Sequence, residues 1–264
     1  MGGGVQEAEP FYREVGGEVA LFEAAWHGRL PVMLKGPTGC GKTRFVEHMA
    51  WRLGRPLVTA AAHEDMTASD LTGRWLLGPE GTVWQDGPLT RAARRGAICY
   101  LDEVVEARQD TVVVLHPLTD TRRMLPLEKC GEVVAAHPDF LLVVSYNPGL
   151  GGAGRELKQS TRQRFVAIAF DYPDADTEAE IVAREAGVAP ELAAVLVRVG
   201  QATRRMRDAG LADGASTRML IHAARLCRGG IALREAVQGA VVLPITDDAD
   251  MTHALGCAAE ACLG

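Results

Sequence analysis

The chain has 264 residues, 47% of them hydrophobic and 5% aromatic, and its 28 lysines and arginines against 34 aspartates and glutamates give a formal charge of −6. That length suits one large core with a smaller one appended, and the acidic balance argues against a nucleic-acid binder, for which a basic excess is expected. No apolar run approaches the roughly 20 residues of a membrane span, and residues 1–10 are Gly-rich and acidic rather than signal-like, so a cytoplasmic location is expected.

In chain order, Pro31-Val32-Met33-Leu34-Lys35-Gly36 reads as a strand and residues 42–53 as the helix after it. Between them Gly36, Pro37, Thr38, Gly39, Cys40, Gly41, Lys42 and Thr43 match the pattern G-x-x-x-x-G-K-[ST] at every fixed position. The glycines let backbone N–H groups turn inward around a polyphosphate, and the start of the helix adds a positive dipole end. Lys42 is placed to reach the β- and γ-phosphates and the Thr43 hydroxyl to ligate Mg²⁺, so ATP and Mg²⁺ are the expected cofactors. Cys40 reads as a spacer in this loop rather than a nucleophile. Pro56 breaks the chain before a second strand at residues 57–62. Residues 75–84 then hold Gly78-Pro79-Glu80-Gly81 between apolar arms, the signature of a projecting hairpin.

Ala97-Ile98-Cys99-Tyr100-Leu101 is almost wholly apolar, as expected of a parallel strand covered on both faces. It ends in Asp102-Glu103. Asp102 is placed to hold Mg²⁺ and Glu103 to polarise the attacking water, a pairing that separates hydrolases from simple phosphate binders. A second hairpin is predicted from Met124-Leu125-Pro126-Leu127 and Glu132-Val133-Val134-Ala135 around Cys130-Gly131, with Pro126 at an edge position. Residues 140–146 and 165–170 supply the fourth and fifth strands. Tyr172-Pro173-Asp174 marks a boundary, after which the pattern is helical and punctuated by Gly187, Gly200, Gly214, Gly229-Gly230 and Pro244. The expected domains are therefore residues 1–172 and 173–264. The clusters Arg91, Arg94, Arg95 and Arg204, Arg205, Arg207 read as solvated faces or protein-interface charges. The six cysteines form no Cys-x-x-Cys pair and the seven histidines no His-Glu-x-x-His spacing, so free thiols and no protein-held metal cluster are expected.

Taken in order, these motifs resemble the AAA+ family over nearly the whole chain. The resemblance implies an α/β P-loop core with a five-stranded parallel sheet between helices, two β-hairpin insertions and a C-terminal helical lid. It implies that Asn147, in Tyr146-Asn147-Pro148, orients water near the γ-phosphate. It also implies that an arginine of Ser160-Thr161-Arg162-Gln163-Arg164-Phe165 reaches a neighbouring subunit's nucleotide, Arg164 in preference to Arg162. Arg218, in Gly214-Ala215-Ser216-Thr217-Arg218, falls where the family contacts ATP, in its own subunit or across the interface. An arginine acting in trans implies a ring, usually a homo-hexamer.

Longer strings resemble the CbbQ/NorQ/NirQ subgroup of the MoxR branch: residues 82–90, 98–108 and 114–118, Ser145-Tyr146-Asn147-Pro148-Gly149, and 158–165. This implies an ATPase that activates a metabolic enzyme. Members of the CbbQ type work with a separate von Willebrand A-domain, CbbO-like partner and release inhibitory sugar phosphates from Rubisco. Members of the NorQ and NirQ type serve nitric oxide reductase or related denitrification enzymes, and the quoted strings do not separate the two. Readings from other classes are a P-loop small-molecule kinase, which needs neither a trans arginine nor a helical bundle; a nucleotide-gated binding module, against which Glu103 argues; and a DNA translocase, against which the net charge argues.

Overall fold

The computed structural model describes residues 8–79, 81–148, 157–206, 211 and 213–263. Glu80, Gly149 and Arg207, named above, lie outside the described residues. The chain divides into two compact units, residues 1–36 with 42–169, and residues 37–41 with 170–264.

In the first unit, α1 (Glu18–His27) leads to β1 (Val32–Lys35), α2 (Lys42–Arg52), β2 (Leu57–Ala61) and the short α3 (Ala68–Thr72). A hairpin of β3 (Gly73–Gly78) and β4 (Gly81–Asp86) follows, then α4 (Pro88–Arg95) and β5 (Ile98–Asp102). Short helices α5 (Gln109–Val113) and α6 (His116–Thr119) precede the second hairpin, β6 (Met124–Leu127) with β7 (Glu132–Ala135). The unit closes with β8 (Leu141–Tyr146), α7 (Gln159–Arg162) and β9 (Val166–Ala169).

The five apolar runs form one sheet in the order β2-β5-β8-β1-β9, and each neighbouring pair is parallel. All of β8 and the apolar part of β5 are buried, which is why these strands read as continuous hydrophobic runs rather than alternating ones. Helix α4 shows how the covering helices are specified. Pro88 stands at its start, Gly96 closes it in the left-handed region at φ 67, and Leu89, Ala92 and Ala93 recur at helical spacing and are buried. Burying a leucine such as Leu89 is worth about 1.5–3 kcal/mol.

Both predicted hairpins are present as separate two-stranded antiparallel ribbons. Pro126 is accommodated because neither ribbon strand has a partner on its outer side. Trp75 and Trp84 face each other across the first ribbon with ring centroids 5.6 Å apart. The ribbons are tied together: the Trp75 indole donates to the Lys129 carbonyl at 2.9 Å, and Arg94 bridges Asp86 at 3.0 Å and Glu132 at 2.6 Å.

The second unit is helical, with α8 (Ala175–Ala186), α9 (Pro190–Arg205), α10 (Thr217–Arg228), α11 (Leu233–Val237) and α12 (Ala249–Leu263). Asp174 caps α8 by accepting from the Asp176 and Thr177 N–H groups, and Ser216 caps α10 by accepting from Met219. Its apolar core includes Val182, Leu196, Val197, Leu220 and Val241. Among the described residues no helix is long and apolar enough to cross a membrane. All six cysteines are free thiols, and burial pushes Cys99 up to about 12, leaving it protonated and unreactive.

Candidate active site

The registers Lys35↔Tyr146 and Leu101↔Val144 bring three chain segments out of the same carboxyl edge of the sheet. They are Gly36 after β1, Asp102-Glu103 at the end of β5, and Asn147 after β8. In parallel α/β sheets this is the edge where ligands bind. Asn147 is half-buried there, directly beyond the last residue of β8.

Lys42 and Thr43 open α2. The Lys42 side chain is buried, and its ammonium donates to the Gly36 carbonyl at 2.7 Å, folding back over the start of the loop. Asp102 is held from two sides. Tyr100 Oη donates to its Oδ1 at 2.7 Å, and Ser145 Oγ donates to the same oxygen at 2.5 Å. The other oxygen, Oδ2, faces Thr43 Oγ1 at 3.5 Å. Burial, then the charge of Asp102, pushes the Tyr100 phenol well above its ordinary range, so it remains a donor throughout the physiological range.

Ser145 also accepts the Glu103 N–H at 3.0 Å, so one hydroxyl fixes both acidic residues. Glu103 sits in the left-handed region at φ 56 and ψ 45, an unusual conformation for a residue with a side chain. The turn leaves Glu103 exposed while Asp102 is partly buried. A divalent ion with a preference for hard oxygen ligands suits this donor set, in which the Thr43 hydroxyl and the Asp102 carboxylate oxygen stand side by side. Tyr100 shares a strand face with Asp102, two residues on, and was detectable from that alternation. Ser145 was not, because only the β5–β8 register places it beside Asp102.

The remaining loop residues belong to the second unit. Gly39 and Gly41 have φ +70 and +102, and a Cβ on Gly39 would stand 2.7 Å from the Ser216 Cβ. Position 39 therefore demands glycine for both conformation and space. Cys40 is buried within the loop. Arg218 lies in the first turn of α10 and is exposed, and among the described residues no hydrogen bond or ion pair engages it.

Arg164 is half-exposed and bound in its own subunit, donating to Asp120 and reaching Thr119 Oγ1 at 3.5 Å. Arg162 ends α7 and is exposed. Neither touches the Lys42–Asp102 constellation. His116 lies beside them, 3.0 Å from Thr161 Oγ1, with its basicity lowered by burial and by the Arg164 charge. Asp120 carried no recognisable signal in the sequence, and His116, within the string 114–118, carried none that pointed to Thr161 or Arg164.

A Walker-type sequence whose Thr43 faces a clamped acidic pair on a β2-β5-β8-β1-β9 sheet defines a P-loop ATPase of the AAA+ class. The family profile of the AAA domain (dynein-related subfamily) matches residues 31–165, and the CbbQ/NirQ/NorQ C-terminal profile matches residues 178–262. The chain belongs to the CbbQ/NirQ/NorQ family of these ATPases. It is 60% identical to Protein CbbQ of Hydrogenophilus thermoluteolus, covering 96% of this chain and 95% of that one. It is 56% identical to Protein NorQ of Paracoccus denitrificans, with 100% and 97% covered. It is 57% identical to the denitrification regulatory protein NirQ of Pseudomonas aeruginosa, with 95% and 96% covered. In fold it is similar to a putative ATPase from Cytophaga hutchinsonii, with TM-score 0.54 and 18% identity over 81% of this chain and 74% of that one. A RuvB variant from Thermotoga maritima is similar to the same degree, with TM-score 0.55 and 17% identity over 90% and 66%.

Proposed function

We propose that this ATPase works as a homo-hexameric ring that remodels inhibited Rubisco, releasing bound sugar phosphates together with a separate von Willebrand A-domain partner. The observation that carries the client is the 60% identity to CbbQ over 96% of the chain. The near-equal identity to NorQ and NirQ supports a second reading, activation or maturation of nitric oxide reductase or another denitrification enzyme.

In this reading ATP lies along residues 36–43. Lys42 exchanges the Gly36 carbonyl for β- and γ-phosphate oxygens. Thr43 and Asp102 Oδ2 would hold Mg²⁺, which when bound would neutralise charge on the nucleotide's phosphates. Asn147 orients the attacking water and Glu103 accepts its proton as the water oxygen bonds to the γ-phosphorus and the bond to ADP breaks. Arg164 leaves Asp120 to place its guanidinium on the neighbouring subunit's γ-phosphate, with Arg162 as the alternative. Arg218 contacts the nucleotide from the start of α10. Different nucleotide affinities of the ring states drive the hairpins, which pass the motion to the partner and client.

The test is retention of partners by tagged Glu103→Gln protein held with ATP in extract of the native cell. This variant should bind ATP, hydrolyse it at least a hundredfold more slowly, and retain Rubisco with a von Willebrand A-domain protein. Retention of a nitric oxide reductase subunit instead would move the client to the second reading. Parent-like hydrolysis by the variant would remove Glu103 from its role.

A further inference from the structure

The second unit contains a buried polar network that the ATPase reading does not use. It begins at the phosphate loop, where Tyr172 Oη donates to the Thr38 carbonyl at 3.1 Å. The Tyr172 ring lies against the Arg204 guanidinium, 3.7 Å from centroid to Cζ. That guanidinium is itself locked. It donates in a fork to both oxygens of Glu178 at 2.7 Å each, and its Nε donates to the Ala215 carbonyl at 2.8 Å. Glu178 is fully buried and also accepts from Thr217 Oγ1 at 2.6 Å.

A buried carboxylate is tolerated only when paired and hydrogen-bonded, and here the pairing uses the geometry that a planar guanidinium offers and an ammonium does not. Its result is an immobile flat surface under one aromatic ring. The ring in turn fixes one hydroxyl, and the hydroxyl one loop carbonyl. Because the peptide is planar and trans, the Thr38 carbonyl and the Gly39 N–H point in opposite directions. Holding that carbonyl toward Tyr172 aims the Gly39 N–H the other way. A phosphate loop depends on such N–H groups being turned inward before the anion arrives. Gly39, at φ +70, has no side chain of its own to fix that peptide, so its orientation depends on what the carbonyl before it is bonded to.

We propose that Tyr172 is a positioning residue for nucleotide binding: stacked on the Glu178-locked Arg204, it holds the Thr38–Gly39 peptide in the orientation that receives phosphate. Nucleotide affinity then depends on a side chain well over a hundred residues along the chain from the loop. The inference rests on reading residues 36–43 as the phosphate cradle.

Tyr172→Phe tests it in the full-length protein, because it removes the hydroxyl and keeps the ring on Arg204. The readouts are the Kd of a fluorescent N-methylanthraniloyl-ATP, steady-state ATPase kinetics and Tm. Kd and KM should rise together about threefold to tenfold, the loss of one hydrogen bond, with kcat at saturation within twofold. Tm should move by less than about 3 °C. A parent-like Kd overturns the proposal, as does weaker binding accompanied by a larger fall in Tm, which would mark a structural role only. Lys42→Ala is measured alongside. If that variant binds the nucleotide as the parent does, the cradle reading itself fails, whatever Tyr172→Phe shows.

Discussion

At the scale of single residues, the acidic pair is organised by a hydroxyl. Ser145 Oγ donates to Asp102 and accepts from the Glu103 backbone, so its proton and one of its two lone pairs are committed. Removing it takes away one of the two donors to Asp102 Oδ1 and leaves the unusual left-handed turn at Glu103 without its anchor. Ser145→Ala should therefore lower ATPase kcat tenfold or more while changing nucleotide Kd less than threefold, since Lys42 and the loop are untouched. Titration against turnover on one preparation checks this, and an unchanged kcat would show that Tyr100 alone suffices to hold Asp102. Valine at the same position is a poorer test because it adds bulk to a fully buried site. The motif residues at this scale were legible because phosphate chemistry fixes their types and spacing. Ser145 was illegible because a serine inside an apolar strand is ordinary until the neighbouring strand is known.

At the scale of elements, the two hairpins project apolar side chains, with Leu77 89% exposed and Val83 and Val133 also exposed. Yet they are not independent arms. Arg94 on α4 reaches Asp86 at the end of one and Glu132 in the other, and the Trp75–Lys129 bond adds a second tie. Solvent screens exposed ion pairs of this kind, so the bridge does little for folding. Its consequence is mechanical, since both ribbons are referred to one helix. Arg94→Ala should leave Tm within about 3 °C and basal hydrolysis within twofold, but cut client reactivation fivefold or more in a coupled assay with partner and inhibited client. Unimpaired reactivation would show that the hairpins need no common tether. Hairpin positions were readable from Gly78-Pro79 and Cys130-Gly131 between apolar arms. The tie was not, because a charged side chain on α4, 38 residues before Glu132, says nothing about which ribbon it meets.

At the scale of the whole molecule, the role proposed for Arg164 depends on assembly. Within one subunit it is engaged by Asp120, so reaching a neighbour's nucleotide requires that ion pair to open. A subunit carrying Arg164→Ala retains its own nucleotide site, whereas one carrying Lys42→Ala retains its arginine. Each variant alone should hydrolyse ATP at least thirtyfold more slowly than the parent. Mixed together they should recover activity, because a Lys42→Ala subunit supplies the missing guanidinium to its Arg164→Ala neighbour. Phosphate release no greater than the sum of the separate variants would remove the trans role. The same mixture separates a ring machine from a small-molecule kinase, in which each chain carries a complete site.

The sequence by itself determined the nucleotide loop, the acidic pair, the five strands and both hairpins. Each is set by local rules: glycines where backbone must approach phosphate, apolar runs where both strand faces are covered, turn residues between apolar arms. Family membership followed from the order of those motifs, and the strong likeness to CbbQ, NorQ and NirQ members agrees with it. Only the tertiary structure decided that Ser145 holds Asp102, that Asp120 holds Arg164, and that Tyr172, stacked on the Glu178-paired Arg204, bonds the loop at Thr38. Those contacts join residues 26 to 134 positions apart. They arise from strand register and helix packing, to which no single stretch of sequence gives access.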